Sequence, residues 1–410
     1  MRIGYLIQPG LKNFQKLPYS GPVIHVREVI SALQERGHDV VLVARMEGAI
    51  QKTSNLVDYE AVTVPWFDQG VLRLMESAIR RLQSEFQLPY FYLFDSLHFA
   101  AACAQVLKDC DVLYERMSWG CYGGVLAARW LGNSLILEAN GDPLAMMDLV
   151  GNAPKGLQRK IETSLTRKIL HQSAHVVASG EGWKRRFVEH WGLLPKTITV
   201  VENGTSLVEH LQRDQLKAFQ NQASEALETG LVYLGGFYPW HGIDIFFRAL
   251  ANARERGIRG RATLIGSGPG QDEARRLAAA LELDGLVTFT GALSMAEYAP
   301  LLAKADIGVS PYCGWHEYSG LKLFDYKAAG LASIASGVDG QPATLTHLKT
   351  GWIVPPCDEE ALTEAIVRLS LDKELRITMG KAARVEAENR HSWKHTAANL
   401  EKVLLTFCGD

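Results

Sequence analysis

A rhythm that runs twice along the chain most constrains its fold: short, continuous apolar stretches, each followed by a segment with helical spacing. In the first half the stretches are RIGYLI, HDVVLVA, DVLYERM, SLILEAN, AHVVASG and TITVVENG. Between the first two lies PVIHVREVISALQERG. It carries Val26, Val29, Ile30 and Leu33 on one helical face, Pro22 suited to a first turn and Gly37 to a C-terminal cap. From Leu231 the rhythm restarts with LVYLGG, ATLIGSG, LVTFTGAL, DIGVSPY, LASIASG and GWIVPP. Runs this short and uniformly apolar read as strands buried on both faces, and their alternation with helices makes the sheets parallel. Two rounds predict an α/β chain of two doubly wound, Rossmann-like domains. The boundary is expected after Asn203-Gly204, giving domains over 1–205 and 206–385, with the polar stretch EHLQRDQLKAFQNQASEALE entering the second.

Composition excludes several classes. A length of 410 residues, 47% of them hydrophobic, is enough for two or three well-packed domains. A net charge of −2 argues against a dedicated nucleic-acid binder, which carries a basic excess. No apolar stretch approaches the ~18 residues that span a bilayer, and MRIGYLIQPG reads as the start of a strand rather than a signal peptide. The six cysteines (Cys103, Cys110, Cys121, Cys313, Cys357 and Cys408) show neither C-x-x-C pairs nor zinc spacing. They are expected to be reduced thiols in a cytoplasmic protein.

Function is most legible in HEYSGLKLFDYKAAG, residues 316–330. It follows the strand DIGVSPY, and ligands of doubly wound sheets gather beyond the carboxyl ends of strands. Ser319 is the expected N-cap of a helix, with the amides of Gly320, Leu321 and Lys322 pointing out of its start, where the dipole favours an anion. Gly320 allows close approach of a diphosphate and Lys322 adds a positive charge. Glu317 on one side can reach the group attached to the phosphates, and Asp325 on the other can accept from ribose hydroxyls. A nucleotide sugar has hydroxyls at both ends and phosphates between.

These residues resemble the Glu-x7-Glu signature of the retaining glycosyltransferases of family four, of GT-B architecture, here Glu317-x7-Asp325 with Asp in the second place. LVYLGGFYPWHGIDIFFRAL, ATLIGSGPGQDEARRLAAAL, VTFTGALSMAEYAPLLAKADIGVSPY and GWIVPPCDEEALTEAIVRL follow in that family's order. HSWKHTAANLEKVLL is similar to the helix that returns to the first domain, within 386–410. The resemblance covers 197–405 best and extends more weakly to the first half. It implies two domains facing across a cleft, the first binding the acceptor and the second a UDP- or GDP-linked donor. It also implies transfer to an acceptor hydroxyl with retention and without a metal or other cofactor. Catalytic roles fall on Glu317 and on Asn140, which stands where many relatives have His. Donor contacts fall on Gly21, Gly236, His241, Gly266, Leu293, Ser319, Gly320, Leu321, Lys322 and Asp325.

The chain also departs from that pattern. Relatives place Arg and Lys in the loop after the first donor-domain strand; GGFYPWHG has Phe237 or Tyr238 and His241 instead. His241 replaces the Lys only if its imidazole is protonated. GSGPGQ lacks the third glycine of a dinucleotide fingerprint, because Gln271 stands there, and reads as a tight turn with Gly266 near the nucleotide. Phe237, Tyr238 and Trp240 either line the cleft or pack under the loop. Arg116 and Glu115 either face the cleft or form a salt bridge. The segment VLRLMESAIRRLQSEFQLPYFYLF sets Leu72, Met75, Ile79, Leu82 and Phe86 on one face. That face either packs on its own domain or touches a membrane or lipid-linked acceptor. Two functions stand side by side: a transferase acting on a glycan, glycolipid or small-molecule acceptor, as a monomer or homodimer with no nucleic-acid partner, and a nucleotide-sugar-binding scaffold that has lost turnover through the GGFYPWHG changes.

Overall fold

The computed structural model describes residues 1–8, 21–46, 48–85, 93–212, 228–314, 320–337 and 342–408. Its contacts divide the chain into two units, Met1–Val201 with Ala397–Asp410, and Glu202–Thr396.

The first unit is built on an eight-stranded sheet: β1 (Arg2–Ile7), β2 (Asp39–Met46), β3 (Ala49–Thr53), β4 (Glu60–Ala61), β5 (Val112–Arg116), β6 (Leu135–Ala139), β7 (His175–Ala178) and β8 (Ile198–Val200). Their order is β4-β3-β2-β1-β5-β6-β7-β8, so the winding reverses between β1 and β5. The helix Gly21–Glu35 turns Val23, Val26, Val29, Ile30 and Leu33 inward. It ends at Gly37 (φ 87°), whose amide donates to the Gln34 carbonyl at 2.9 Å.

The expectation of a wholly parallel sheet needs correcting at one edge. β3 pairs with β2, and β4 with β3, antiparallel. Only two residues separate β2 from β3, too few for the crossover that a parallel neighbour requires, so the chain must turn straight back.

The second unit holds β9 (Thr229–Leu234), β10 (Gly260–Ile265), β11 (Val287–Gly291), β12 (Ile307–Ser310), β13 (Ala332–Ser336) and β14 (Trp352–Val354). All are parallel in the order β11-β10-β9-β12-β13-β14, with the reversal between β9 and β12. Val232, Leu264, Val309 and Ile334, one from each of four adjacent strands, are fully buried. Helices on both faces account for the absence of alternation along these strands.

The cysteine expectation is overturned. Cys313 and Cys357 form a disulfide, with Cα atoms 4.7 Å apart and a separation of 44 positions in sequence. Cys313 follows β12 and Cys357 follows β14; parallel strands discharge their loops at one edge of the sheet, which brings the two together. Cys103, Cys110 and Cys121 are buried free thiols and Cys408 is a partly exposed one. Reduced thiols throughout therefore no longer support a cytoplasmic placement.

The helix Val71–Glu85 buries less than its pattern suggests. Leu72 and Ile79 are half-buried, whereas Met75 and Leu82, expected on the same packed face, are exposed with Val71 and Leu74. Phe86 lies outside the described residues. No helix among the described residues is long and apolar enough to cross a membrane.

Candidate functional site

In the second unit the site is built where β9 and β10 end beside the helix Leu321–Ala328. Gly235 follows β9 at φ 146° and Gly266 follows β10 at φ 138°, conformations that side chains disfavour. A Cβ on Gly266 would collide with the Gly235 carbonyl, and one on Gly235 would stand 3.2 Å from Cε and Nζ of Lys322. Two strand ends thus meet backbone to backbone, and the space left beside Gly235 is taken by a lysine.

Lys322 is 7% exposed. Its Nζ stands 4.7 Å from the ring centre of Tyr233 and 4.8 Å from that of Tyr312, so two aromatic faces hold the ammonium. It sits in the first turn of its helix, whose leading N–H groups have no intrahelical acceptor. Fixed cation, helix terminus and close-packed glycine turns together form an environment suited to phosphate.

The N-cap differs from expectation. Gly320 holds that position in extended conformation (φ −77°, ψ 121°), and Leu323 donates to its carbonyl at 3.1 Å. Ser319 and Glu317 lie outside the described residues. Leu321 is half-buried, and Leu293, after β11, packs partly buried against the core beneath this edge. Gly236 precedes Phe237, which is buried against Tyr233 and Phe289, while Tyr238 stacks on Trp240 at 5.0 Å. The loop therefore packs one aromatic underneath and leaves two above.

His241 is not a substitute cation. Its Nδ1 lies 2.6 Å from the Gly236 carbonyl and 2.9 Å from the Tyr233 hydroxyl, and its Nε2 lies 3.1 Å from the Tyr312 hydroxyl. The carbonyl can only accept, which places the proton on Nδ1 and leaves Nε2 to accept from Tyr312. Burial first, and the nearby Lys322 charge second, push its pKa down to about 3. The ring is a neutral strut that positions the two tyrosines flanking Lys322.

Asp325 is held by side chains from other elements. Thr205 Oγ1 donates to Oδ1 at 2.5 Å and the Tyr298 hydroxyl to Oδ2 at 3.1 Å. The carboxylate is thus fixed by protein donors.

In the first unit Asn140 stands just beyond β6, beside the buried carboxylate of Glu138. Tyr5, His25, Arg116 and Asn140 all direct donors to that carboxylate. Burial alone would raise its pKa, but His25, Arg116 and Tyr5 outweigh this and hold it down at about 2. Arg116 pairs across the sheet with Glu138 and not with its neighbour Glu115, because adjacent strand residues point to opposite faces. Glu115 lies against Gly124 on the other face, and burial raises its pKa to about 8. Gly21 opens the helix that carries His25. Among the described residues no group of three His, Cys, Asp or Glu side chains is placed to hold a metal ion.

Sequence reading missed Tyr233, Tyr312, Tyr5, His25 and Glu138. The first two had a usable signal, an aromatic at or just after the end of an inner strand. The others had none.

Residues 19–209 match the family described as Glycosyltransferase Family 4, and residues 228–372 match Glycosyl transferases group 1. The chain belongs to the glycosyltransferases of family 4. This family 4 glycosyltransferase is 25% identical over 398 residues to a D-inositol 3-phosphate glycosyltransferase of Pseudarthrobacter chlorophenolicus, covering 92% of this chain and 88% of the relative. It is 29% identical over 180 residues to a GDP-mannose-dependent alpha-(1-6)-phosphatidylinositol monomannoside mannosyltransferase of Mycobacterium tuberculosis, covering 42% and 46% of the two chains. In fold it is similar to Anabaena Alr3699/HepE, solved in complex with UDP, with a TM-score of 0.70, 16% identity and coverage of 99% and 100%. The GT-B architecture is thereby shared.

Proposed function

We propose that the chain moves a sugar from a UDP- or GDP-linked donor to a hydroxyl of a glycolipid, inositol-type or other glycoside acceptor, with retention and without a metal. The observation that carries this is Lys322, held between two tyrosine rings at a helix start beside the turns at Gly235 and Gly266. That arrangement suits the charge that develops on a departing nucleoside diphosphate. The bond from the anomeric carbon to phosphate breaks, a bond to the acceptor oxygen forms on the same face, and the acceptor proton passes to the leaving phosphate. Glu317 holds the sugar in this scheme, Asn140 contacts it, and Ser319, Gly320, Leu321 and Asp325 contact the nucleotide side. Gly21, Gly236, Gly266 and Leu293 line the donor, and the neutral His241 supports its pocket.

The test begins with a thermal-shift screen of UDP, GDP, ADP and their sugars, since a ligand of the native state alone raises apparent stability. The active donor is then assayed with an inositol phosphate or a phosphatidylinositol acceptor, with and without EDTA, and the product anomer is read by NMR. Retention and insensitivity to EDTA are expected; an inverted product refutes the mechanism. A second reading is favoured by one observation: His241, in the Lys place of the family pattern, is neutral, so the loop supplies neither of that pattern's two cations. Binding of a nucleotide sugar with neither hydrolysis nor transfer to any acceptor would identify a scaffold.

We also propose that the protein makes peripheral contact with a membrane. Val71, Leu74, Met75 and Leu82 form an exposed apolar stripe, with Val71 at 70% and Leu74 at 72%, and Arg73 and Arg81 stand exposed beside it. An apolar face with arginines alongside suits the interface of an anionic bilayer.

A further inference from the structure

The carboxylate of Glu138 explains what Asn140 can offer a ligand. Glu138 is 2% exposed, on the face of β6 that the helix Gly21–Glu35 covers. Its Oε2 accepts from the Tyr5 hydroxyl, and its Oε1 accepts from Nε2 of His25 and Nδ2 of Asn140, with Arg116 Nη1 at 3.5 Å. A carboxylate surrounded by four donors stays ionised and can only accept. An amide beside it has one favourable orientation, Nδ2 inward and Oδ1 outward. The reverse would set a carbonyl oxygen against a buried anion.

We infer that Glu138 is a positioning residue which orients the Asn140 amide, so that the carboxyl end of β6 presents Oδ1 as a hydrogen-bond acceptor for a hydroxyl of the transferred sugar. This rests on the proposed role of Asn140. Asn140 is half-buried, and no described residue donates to its Oδ1. An imidazole at this place can donate or accept according to its tautomer. The tethered amide cannot switch, because turning it would break its bond to Glu138. The position therefore selects for a sugar carrying a hydroxyl donor at the contacted carbon and against one carrying only an acceptor. Tyr5, His25 and Arg116 act at one remove, by keeping Glu138 charged and fixed.

The experiment uses whichever of UDP-glucose and GDP-mannose is the active donor, with its monodeoxy and deoxyfluoro analogues at each hydroxyl. Full-length wild type, Asn140→Ala and Glu138→Gln are compared. Fluorine keeps weak acceptor character and cannot donate, and its inductive effect on the anomeric carbon is common to all three proteins. In wild type one deoxy position should lower kcat/KM by about three- to tenfold, the range for a neutral hydrogen bond, with no recovery in the fluoro analogue. That penalty should vanish in Asn140→Ala and in Glu138→Gln, while UDP or GDP affinity stays within about twofold, since Glu138 is itself buried. Recovery by fluorine in wild type would show Nδ2 facing the sugar and overturn the inference. So would an equal deoxy penalty in wild type and Asn140→Ala. If Glu138→Gln does not fold, the fluorine comparison between wild type and Asn140→Ala still decides. A protein that transfers no sugar overturns the reading of the site and this inference with it; one that transfers sugar without the expected penalty overturns this inference alone.

Discussion

His241 makes stability and ligand affinity respond to pH in separable ways. Its folded pKa is about 3, pushed down by burial and by the Lys322 charge, against about 6.5 for the unfolded residue. Between these values the unfolded chain binds a proton that the native ring refuses, so stability rises with pH across the window and falls on acidification through 6.5. A gap of 1.5 units at pH 5 corresponds to about 2 kcal/mol lost relative to pH 8. His241→Gln keeps much of the ring's hydrogen bonding and cannot titrate. Urea unfolding of both proteins from pH 8 to pH 5 isolates the histidine, because the other titrating groups cancel in the difference. Wild type should lose about 2 kcal/mol more than the variant at pH 5, whereas affinity for UDP or GDP between pH 6 and 9 should not change on account of this residue. A flat stability difference would mean that the ring is solvated. Donor affinity that falls as pH rises through 6.5, and only in wild type, would restore the imidazolium and refute the strut.

Other outcomes follow from single residues. Lys322→Met should weaken UDP or GDP binding by about 1.5–3 kcal/mol, the worth of a charge-assisted contact, and leave uridine or guanosine nearly unaffected in calorimetry; equal losses would remove Lys322 from the phosphates. Glu317→Gln should lower kcat steeply with little change in KM, and an unaltered kcat would return Glu317 to an ordinary loop acid. Cys357→Ser should destabilise the second unit by up to about 4 kcal/mol in a chain-entropy treatment of the 44-residue separation. Dithiothreitol should do the same to wild type only, and a wild type indifferent to reductant would contradict the bridge. Leu74→Glu with Met75→Glu should abolish co-sedimentation with phosphatidylglycerol vesicles and leave turnover of a water-soluble acceptor intact; undiminished sedimentation would dismiss the exposed stripe.

Two largely parallel sheets were legible along the chain because the information is local. A buried strand such as LVYLGG and a helical face such as Val26, Val29, Ile30 and Leu33 are each complete within a few residues, and hydrophobic burial reads them directly. The helix start at Leu321 was legible for the same reason, to within one residue of its cap. Charge states and partners were not, because they depend on groups far apart in sequence. Tyr5 meets Glu138 across 133 residues, Thr205 meets Asp325 across 120, and Cys313 meets Cys357 across 44. His241 looked like a candidate cation because an isolated imidazole titrates near neutrality. Only the folded chain sets Lys322, Tyr233 and Tyr312 around it and withdraws the water that a charged ring would need. Sequence alone determined where the strand ends and the helix start of the second sheet lie; tertiary structure decided which groups there carry charge, because desolvation and neighbouring dipoles exist only once the chain has packed.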